Sequence, residues 1–254
     1  MKAAACALAA LWLASAAWAA PDARRSGFDD MTPALQAMQR DDAQNPAMLW
    51  VADGATLWQR APGPNQPSCA SCHGDANVAM RGVAARYPAF DTASQRPITL
   101  SQRINACRVG HQHAAPLAAE GDALLGLESF VALQSRGLAV APPADARLQP
   151  FRARGEQLFK RRIGQLYLSC AQCHDERAGQ RLGGAAIPQA HPTGYPIYRL
   201  EWQGLASLQR RLRSCISGVR AEPYAYDAPE LVELELYLAQ RAAGMRVDAP
   251  GVRP

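Results

Sequence analysis

Apolar positions 50, 51, 54, 57 and 58 within Met48–Trp58 share the spacing of one helical face, and Pro62-Gly-Pro64 lies beyond the run. The same text returns later in the chain. Gly54-Ala-Thr-Leu-Trp58 begins fifteen residues before Cys69, and Gly155-Glu-Gln-Leu-Phe159 begins fifteen residues before Cys170. Arg103-Ile-Asn-Ala-Cys107 matches Arg211-Leu-Arg-Ser-Cys215, and Leu127-Glu-Ser-Phe-Val-Ala-Leu133 matches Leu234-Glu-Leu-Tyr-Leu-Ala-Gln240. The three offsets are 101, 108 and 107 residues, so one insertion of about seven residues in the later copy accounts for the drift. The pattern predicts two repeated, domain-sized units. Each reads as a helix, a Cys-x-x-Cys-His motif, an irregular middle, a short helix carrying a cysteine, and a terminal helix. Strand signals are scarce. Residues 20–45 read as an N-terminal arm with a short helix around Ala34–Arg40, and 46–140 form the first unit. Pro-rich, aperiodic residues 141–150 form a linker, and 151–254 form the second unit.

The first twenty residues stand apart from this repeat. They hold one lysine, an apolar run without acids, and Ala17-Trp18-Ala19, the small-x-small text of a secretory cleavage site, so residues 1–19 are expected to be a signal peptide. The run is too short and too alanine-rich for a membrane span, which leaves an exported chain expected to be soluble and not membrane-spanning. The formal charge of +5 falls to +4 once Lys2 leaves with the signal. Only Lys160 remains as a lysine among the arginines, a bias that gives little ground for nucleic-acid binding. Arginine does suit the gripping of multi-oxygen anions.

Seven cysteines punctuate the chain. Cys6 belongs to the signal, and four belong to Cys69-Ala-Ser-Cys72-His73 and Cys170-Ala-Gln-Cys173-His174, leaving Cys107 and Cys215. In such a motif two thiols add across the vinyl groups of haem and the adjacent histidine binds iron, so two covalently bound haem c groups are expected, with His73 and His174 as proximal ligands. Zinc would need four ligands and no histidine after each pair. For the distal position, no methionine lies between His174 and the last helix, and Met80 follows His73 too closely to wrap round a ring. Candidates are Cys107, His111 and His113 for the first haem, and Cys215 and His191 for the second. The repeat favours the cysteines, because only Cys107 and Cys215 correspond, each four residues after an arginine and on its helical face. A Cys107–Cys215 disulfide is the alternative use of the same pair in an exported chain. Thiolate ligation stabilises ferric iron and suits simple electron shuttling poorly. With Arg211, Arg213 and Arg220 nearby, Cys215 looks like a site for sulfur chemistry on an anion.

The order of elements resembles that of a class I cytochrome c domain, which implies an all-α fold of two tandem cytochrome c-like domains. The stretch Leu208-Gln-Arg-Arg-Leu-Arg-Ser-Cys-Ile-Ser-Gly-Val-Arg-Ala-Glu-Pro-Tyr-Ala-Tyr226, with Leu234-Glu-Leu-Tyr-Leu-Ala-Gln-Arg241 and Pro250-Gly-Val-Arg-Pro254, is similar to the SoxA family, the dihaem cytochrome subunit of the SoxAX complex of thiosulfate oxidation. That resemblance implies a periplasmic L-cysteine S-thiosulfotransferase working with SoxX. Thiosulfate is joined to a cysteine of the carrier SoxYZ, and two electrons leave through the haems. It also implies that Cys215 is the catalytic residue, carried as a persulfide, with Arg211 beside it. The rival readings are a dihaem cytochrome that only transfers electrons, and a dihaem peroxidase, which needs an open distal position.

Overall fold

A computed structural model describes residues 22–254, so the expected signal peptide lies outside the described residues. Thr32 accepts from the Leu35 amide and starts α1 (Pro33–Arg40), with proline inside the first turn where its missing N–H costs nothing. The helix expected over 48–58 is α2 (Ala47–Gln59). Ser68 caps the one-turn α3 (Cys69–His73), and Asp75 caps α4 (Ala76–Ala79). An antiparallel hairpin of β1 (Ala89–Asp91) and β2 (Arg96–Ile98) leads to α5 (Leu100–Gly110), opened by a reciprocal cap of Thr99 and Gln102. Helix α6 (Asp122–Leu133) closes the first half.

The second half repeats these steps. Helix α7 (Gln149–Lys160) is followed by α8 (Cys170–His174), which Ser169 and Gln172 cap reciprocally. The small hairpin of β3 (Arg181–Leu182) and β4 (Ala185–Ala186) belongs to the extra residues of this half. Hairpin β5 (Ile197–Arg199) and β6 (Gly204–Ala206) leads to α9 (Leu208–Gly218), capped by Ser207, and then to α10 (Pro229–Arg241). The hairpin and following helix thus start 108 residues after β1, β2 and α5.

Each half is built on a close helix crossing. Gly54 of α2 faces the backbone of α6 so nearly that a Cβ would stand 2.1 Å from the Gly126 carbonyl oxygen. Gly155 of α7 faces the Glu233 carbonyl of α10 at the same distance. Only a residue without a side chain allows either approach. One turn further on, Trp58 tilts against Phe130 with centroids 5.8 Å apart, and Phe159 tilts against Tyr237 at 5.4 Å. The cores follow from these contacts: Trp58, Leu100, Leu127 and Val131 in one half, Phe159, Leu234 and Leu238 in the other.

The architecture is mainly helical, with short strands the sequence pattern did not reveal. The last of them, β7 (Gly251–Arg253), joins β5 in parallel to make the three-stranded sheet β6-β5-β7. Its residues are too few to show a period. The segment read as a linker is held: Leu148 is fully buried, and the Val140 amide donates to Met245. Within it the Ala141 amide donates to the Ala85 carbonyl and the Leu148 amide to the Asp145 carbonyl, an arrangement that a Pro-rich text does not announce. The arm is held too. Buried Gln39 of α1 accepts from the Val252 amide at 2.9 Å and from Arg253 Nη1 at 2.5 Å. Leu205 packs with Ala47 and Leu125, and Val247 and Ala249 with Ala85 and Ala132, so the halves share apolar contacts.

Candidate functional site

The capped turn of α8 places Cys170, Cys173 and His174 on one short helix above the Phe159 ring, whose centroid is 6.5 Å from the His174 imidazole. Nδ1 of His174 lies 2.7 Å from the Pro188 carbonyl oxygen. A carbonyl only accepts, so Nδ1 carries the proton and Nε2 keeps the lone pair a metal needs. Burial also lowers the His174 pKa, which keeps the ring neutral.

Helix α9 faces this turn. Arg211 and Cys215 lie one turn apart, and together with His174 they line a cavity of about 270 Å³. Its wall also takes Tyr195, Arg199, His191, Arg181 from the β3–β4 hairpin, and Arg253 from β7. Burial pushes the Cys170 thiol up to about 11, with Cys215 close enough to add to the effect. Burial likewise pushes the Tyr195 phenol up to about 12. His191 Nδ1 lies 2.7 Å from the Arg25 carbonyl, so the second-half candidates His191 and Cys215 both reach the cavity.

The first motif sits in a more open setting. Cys72 and His73 are exposed, with Trp58 5.7 Å from the His73 ring and donating to the Gly74 carbonyl at 3.1 Å. Burial raises the Cys69 and Cys107 thiols; Arg103 counters the effect at Cys107, and Cys72 lies within its field. His111 and His113 point to solvent, and Met80 packs beside Trp58 and Leu100 in the apolar core. Arg103 is already paired, with Nη2 2.7 Å from Asp91 Oδ1.

All six cysteines of the described residues are free, so Cys107 and Cys215 form no disulfide; each lies beside its own motif. No group of three or more His, Cys, Asp or Glu among the described residues is arranged to chelate a metal ion. Two thiols on one turn, a histidine with a fixed tautomer and a cavity behind it fit haem c. Of the arginines expected around Cys215, only Arg211 reaches the cavity. Arg213 instead stacks on Tyr226 at 4.4 Å, and Arg220 lies exposed beyond the end of α9, because their positions fall on other faces of that helix and past its last turn. Tyr195, Arg199 and Arg253 were not singled out by sequence. The 108-residue offset, applied to Tyr87 and Asp91, lands on Tyr195 and Arg199 and would have found two of them.

Among the described residues no helix is long and apolar enough to cross a membrane. The family model for the SoxA/TsdA cytochrome c domain matches residues 53–140 and again 154–247. The L-cysteine S-thiosulfotransferase subunit SoxA of Pseudaminobacter salicylatoxidans is 37% identical over 216 residues, covering 85% of this chain and 76% of that protein. The subunit of the same name from Rhodovulum sulfidophilum is 34% identical, covering 91% and 81%. The crystal structure of SoxXA from P. pantotrophus superposes with a TM-score of 0.87 at 32% identity, over 91% of this chain and 87% of that one. A match of this extent, over both motifs and with the same mainly helical architecture, establishes that the chain belongs to the SoxA family of cytochromes c.

Proposed function

We propose that this protein is an L-cysteine S-thiosulfotransferase subunit that joins thiosulfate to a cysteine thiol of a carrier protein, SoxYZ, in partnership with a SoxX cytochrome. The observation that carries the reading is the placement of Cys215, Arg211 and His174 on one cavity. Two cytochrome c-like domains related by internal duplication, 46–140 and 151–254, each hold one haem c, through Cys69 and Cys72 and through Cys170 and Cys173. The repeated crossings at Gly54 and Gly155 and the two family-model matches support that division. His73 and His174 would hold the iron of each haem, and Cys107 and Cys215 would supply a thiolate to it. The expected signal peptide supports a periplasmic location.

Haem c, when bound, supplies one-electron redox chemistry at its iron. The chain's own groups do the rest. Thiosulfate carries a sulfonate end and an outer sulfur. Arg211 grips the sulfonate oxygens by charge-assisted hydrogen bonds, which leaves the outer sulfur at Cys215. One S–S bond forms between that outer sulfur and the carrier's sulfur, the carrier's S–H bond breaks, and one proton and two electrons leave; the electrons pass to an acceptor cytochrome. Replacing Cys215 with methionine, which keeps a sulfur for the iron and removes the thiol, should abolish thiosulfate-dependent turnover with SoxX and SoxYZ. Survival of that turnover would rule out the catalytic assignment. A cytochrome that only transfers electrons would keep exchanging them in this variant and would show no sulfur transfer in the wild type.

A further inference from the structure

The two halves treat the same arginine differently. In the first half Arg103 bonds Asp91 at 2.7 Å, with the Tyr87 hydroxyl close by, so the guanidinium is neutralised by the protein's own carboxylate. Arg211 occupies the matching place in the second half, 108 residues on, and Tyr195 matches Tyr87. The position matching Asp91 is Arg199. A carboxylate has thus been exchanged for a second guanidinium beside the first, and the pair is close enough that Arg211 lowers the pKa of Arg199 in addition to the larger effect of burial.

Other features of this wall point the same way. Arg199 of β5 is the cross-strand partner of Arg253 on β7, and like charges placed opposite each other cost stability. Both side chains are well covered, 13% and 14% exposed. Arg199 does meet a carboxylate, Glu201 at 3.0 Å, but that partner is 65% exposed, and a buried Nε of Arg199 has no hydrogen-bond partner. Arg253 is fastened by Gln39 and more loosely by Asp248 at 3.5 Å. Arg211 has no ion-pair partner among the described residues. The cavity is lined by four arginines, 181, 199, 211 and 253, against one acidic side chain, Asp30, and that acid is taken by Arg25 at 3.0 Å. Gathering guanidinium groups that are only partly neutralised, Arg211 not at all, in a half-enclosed space is unfavourable unless an anion enters it.

We infer that Arg199, with Arg211, Tyr195 and Arg253, forms a preformed oxyanion site, in which an outside anion takes the place that Asp91 fills in the first half. Two guanidinium forks and a phenol hydroxyl offer convergent donors suited to a planar carboxylate or a sulfonate. Two sources carry that chemistry: the sulfonate end of thiosulfate, and the carboxylate arms of a covalently attached haem c. The first would make Arg199 a specificity residue of the reaction proposed above; the second would make it a positioning residue of the haem. The inference rests on the reading of Cys215 as the substrate site only for its first arm.

The discriminating variant is Arg199→Asp, which rebuilds the first-half ion pair with Arg211 and is therefore expected to fold. Arg199→Lys keeps the charge. The haem-loaded full-length protein is titrated with thiosulfate, and with sulfite as a smaller probe, and its haem absorption and midpoint potentials are recorded without turnover. If the site holds the sulfonate, R199D weakens thiosulfate binding at least about tenfold, the loss expected for charge-assisted hydrogen bonds, while R199K loses less and the potentials stay in place. If it holds the haem carboxylates, R199D shifts the potential and spectrum of one haem, while the neutral variant Arg199→Gln, which leaves Arg211 unpaired, keeps the wild-type thiosulfate affinity; loss of that affinity in Arg199→Gln marks the sulfonate arm. Wild-type affinity together with wild-type potentials and spectrum in R199D would overturn the inference. Because binding is measured directly, a wild type that binds the anion and never transfers sulfur would sink the proposed function and leave this site standing.

Discussion

Gly155 of α7 rests on the carbonyl of Glu233 in α10, where a Cβ would come within 2.1 Å of the oxygen and 2.9 Å of the Tyr237 Cβ. Backbone cannot step aside as a flexible side chain can. Gly155→Ala should therefore push the helices apart and cost about 3 kcal/mol, at the upper end of overpacking penalties. Urea denaturation reads the effect as a lower midpoint, and an unchanged midpoint would mean that the crossing is looser than described. Because Tyr237 packs on Phe159 and Phe159 lies under His174, the same variant should disturb the second haem more than the first.

The cavity between the halves predicts a pH dependence. Glu128 of α6 and Glu235 of α10 both line it, and each carboxyl is pushed up to about 8, first by burial and then by neighbouring acids or against the opposing pull of Gln209. The facing groups are Glu120, Asp227, Gln209, Thr99, Ser101, Ser207, Tyr87, Tyr195 and Tyr226, with no basic side chain on the lining. The folded pKa stands above the unfolded value of 4.5, so the folded chain keeps protons that the unfolded chain has released. Stability should fall as pH rises from about 4.5 to about 8 and then level off. Replacing both residues with glutamine should flatten that slope and raise the melting temperature near pH 8. A double variant with the wild-type slope would place the titration elsewhere.

Arg103 and Arg211 should separate in function. Arg211→Ala removes a guanidinium that faces the cavity without an ion-pair partner, and is expected to raise the KM for thiosulfate at least about tenfold. Arg103→Ala breaks a partly exposed ion pair with Asp91, costing about 1 kcal/mol or less, and should leave that KM where it was. Equal effects on KM would contradict the contrast between the two halves.

Gln39 ties α1 to β7 through the Val252 amide and Arg253. Gln39→Leu leaves that buried amide unpaired, at a cost of about 1–3 kcal/mol. Hydrogen exchange at residues 251–253 should accelerate relative to α10. Unaltered protection there would show that strand pairing with β5 suffices.

Much of this molecule was legible in the chain because its information is local. Helix α2 has a face, the haem motifs have fixed spacing, and Gly54 and Gly155 recur with their aromatic neighbours. Cys215 and Arg211 were legible because four residues span one helical turn whatever the fold. Arg213 and Arg220 misled for the complementary reason: closeness in sequence does not decide which side of α9 a residue takes. Arg253 was out of reach, since its place depends on a strand of three residues pairing in parallel with β5. The start of the held segment 141–150 depends likewise on distant partners, Ala85 for Ala141 and Met245 for the preceding Val140.

The parallel strand β7 has a consequence for the order in which the molecule can be completed. The wall around Cys215 takes Gly27, Met31 and Leu35 from one end of the sequence and Arg253 from the other, joined through Gln39 across 213 residues. Either half can gather its own helices as it emerges, since each crossing is internal to that half. The wall around Cys215 cannot, because its pieces come from both ends of the described chain and meet only once the last residues are free to pair. Thiols that must react with haem are therefore accessible for longer than the cavity they will help to line.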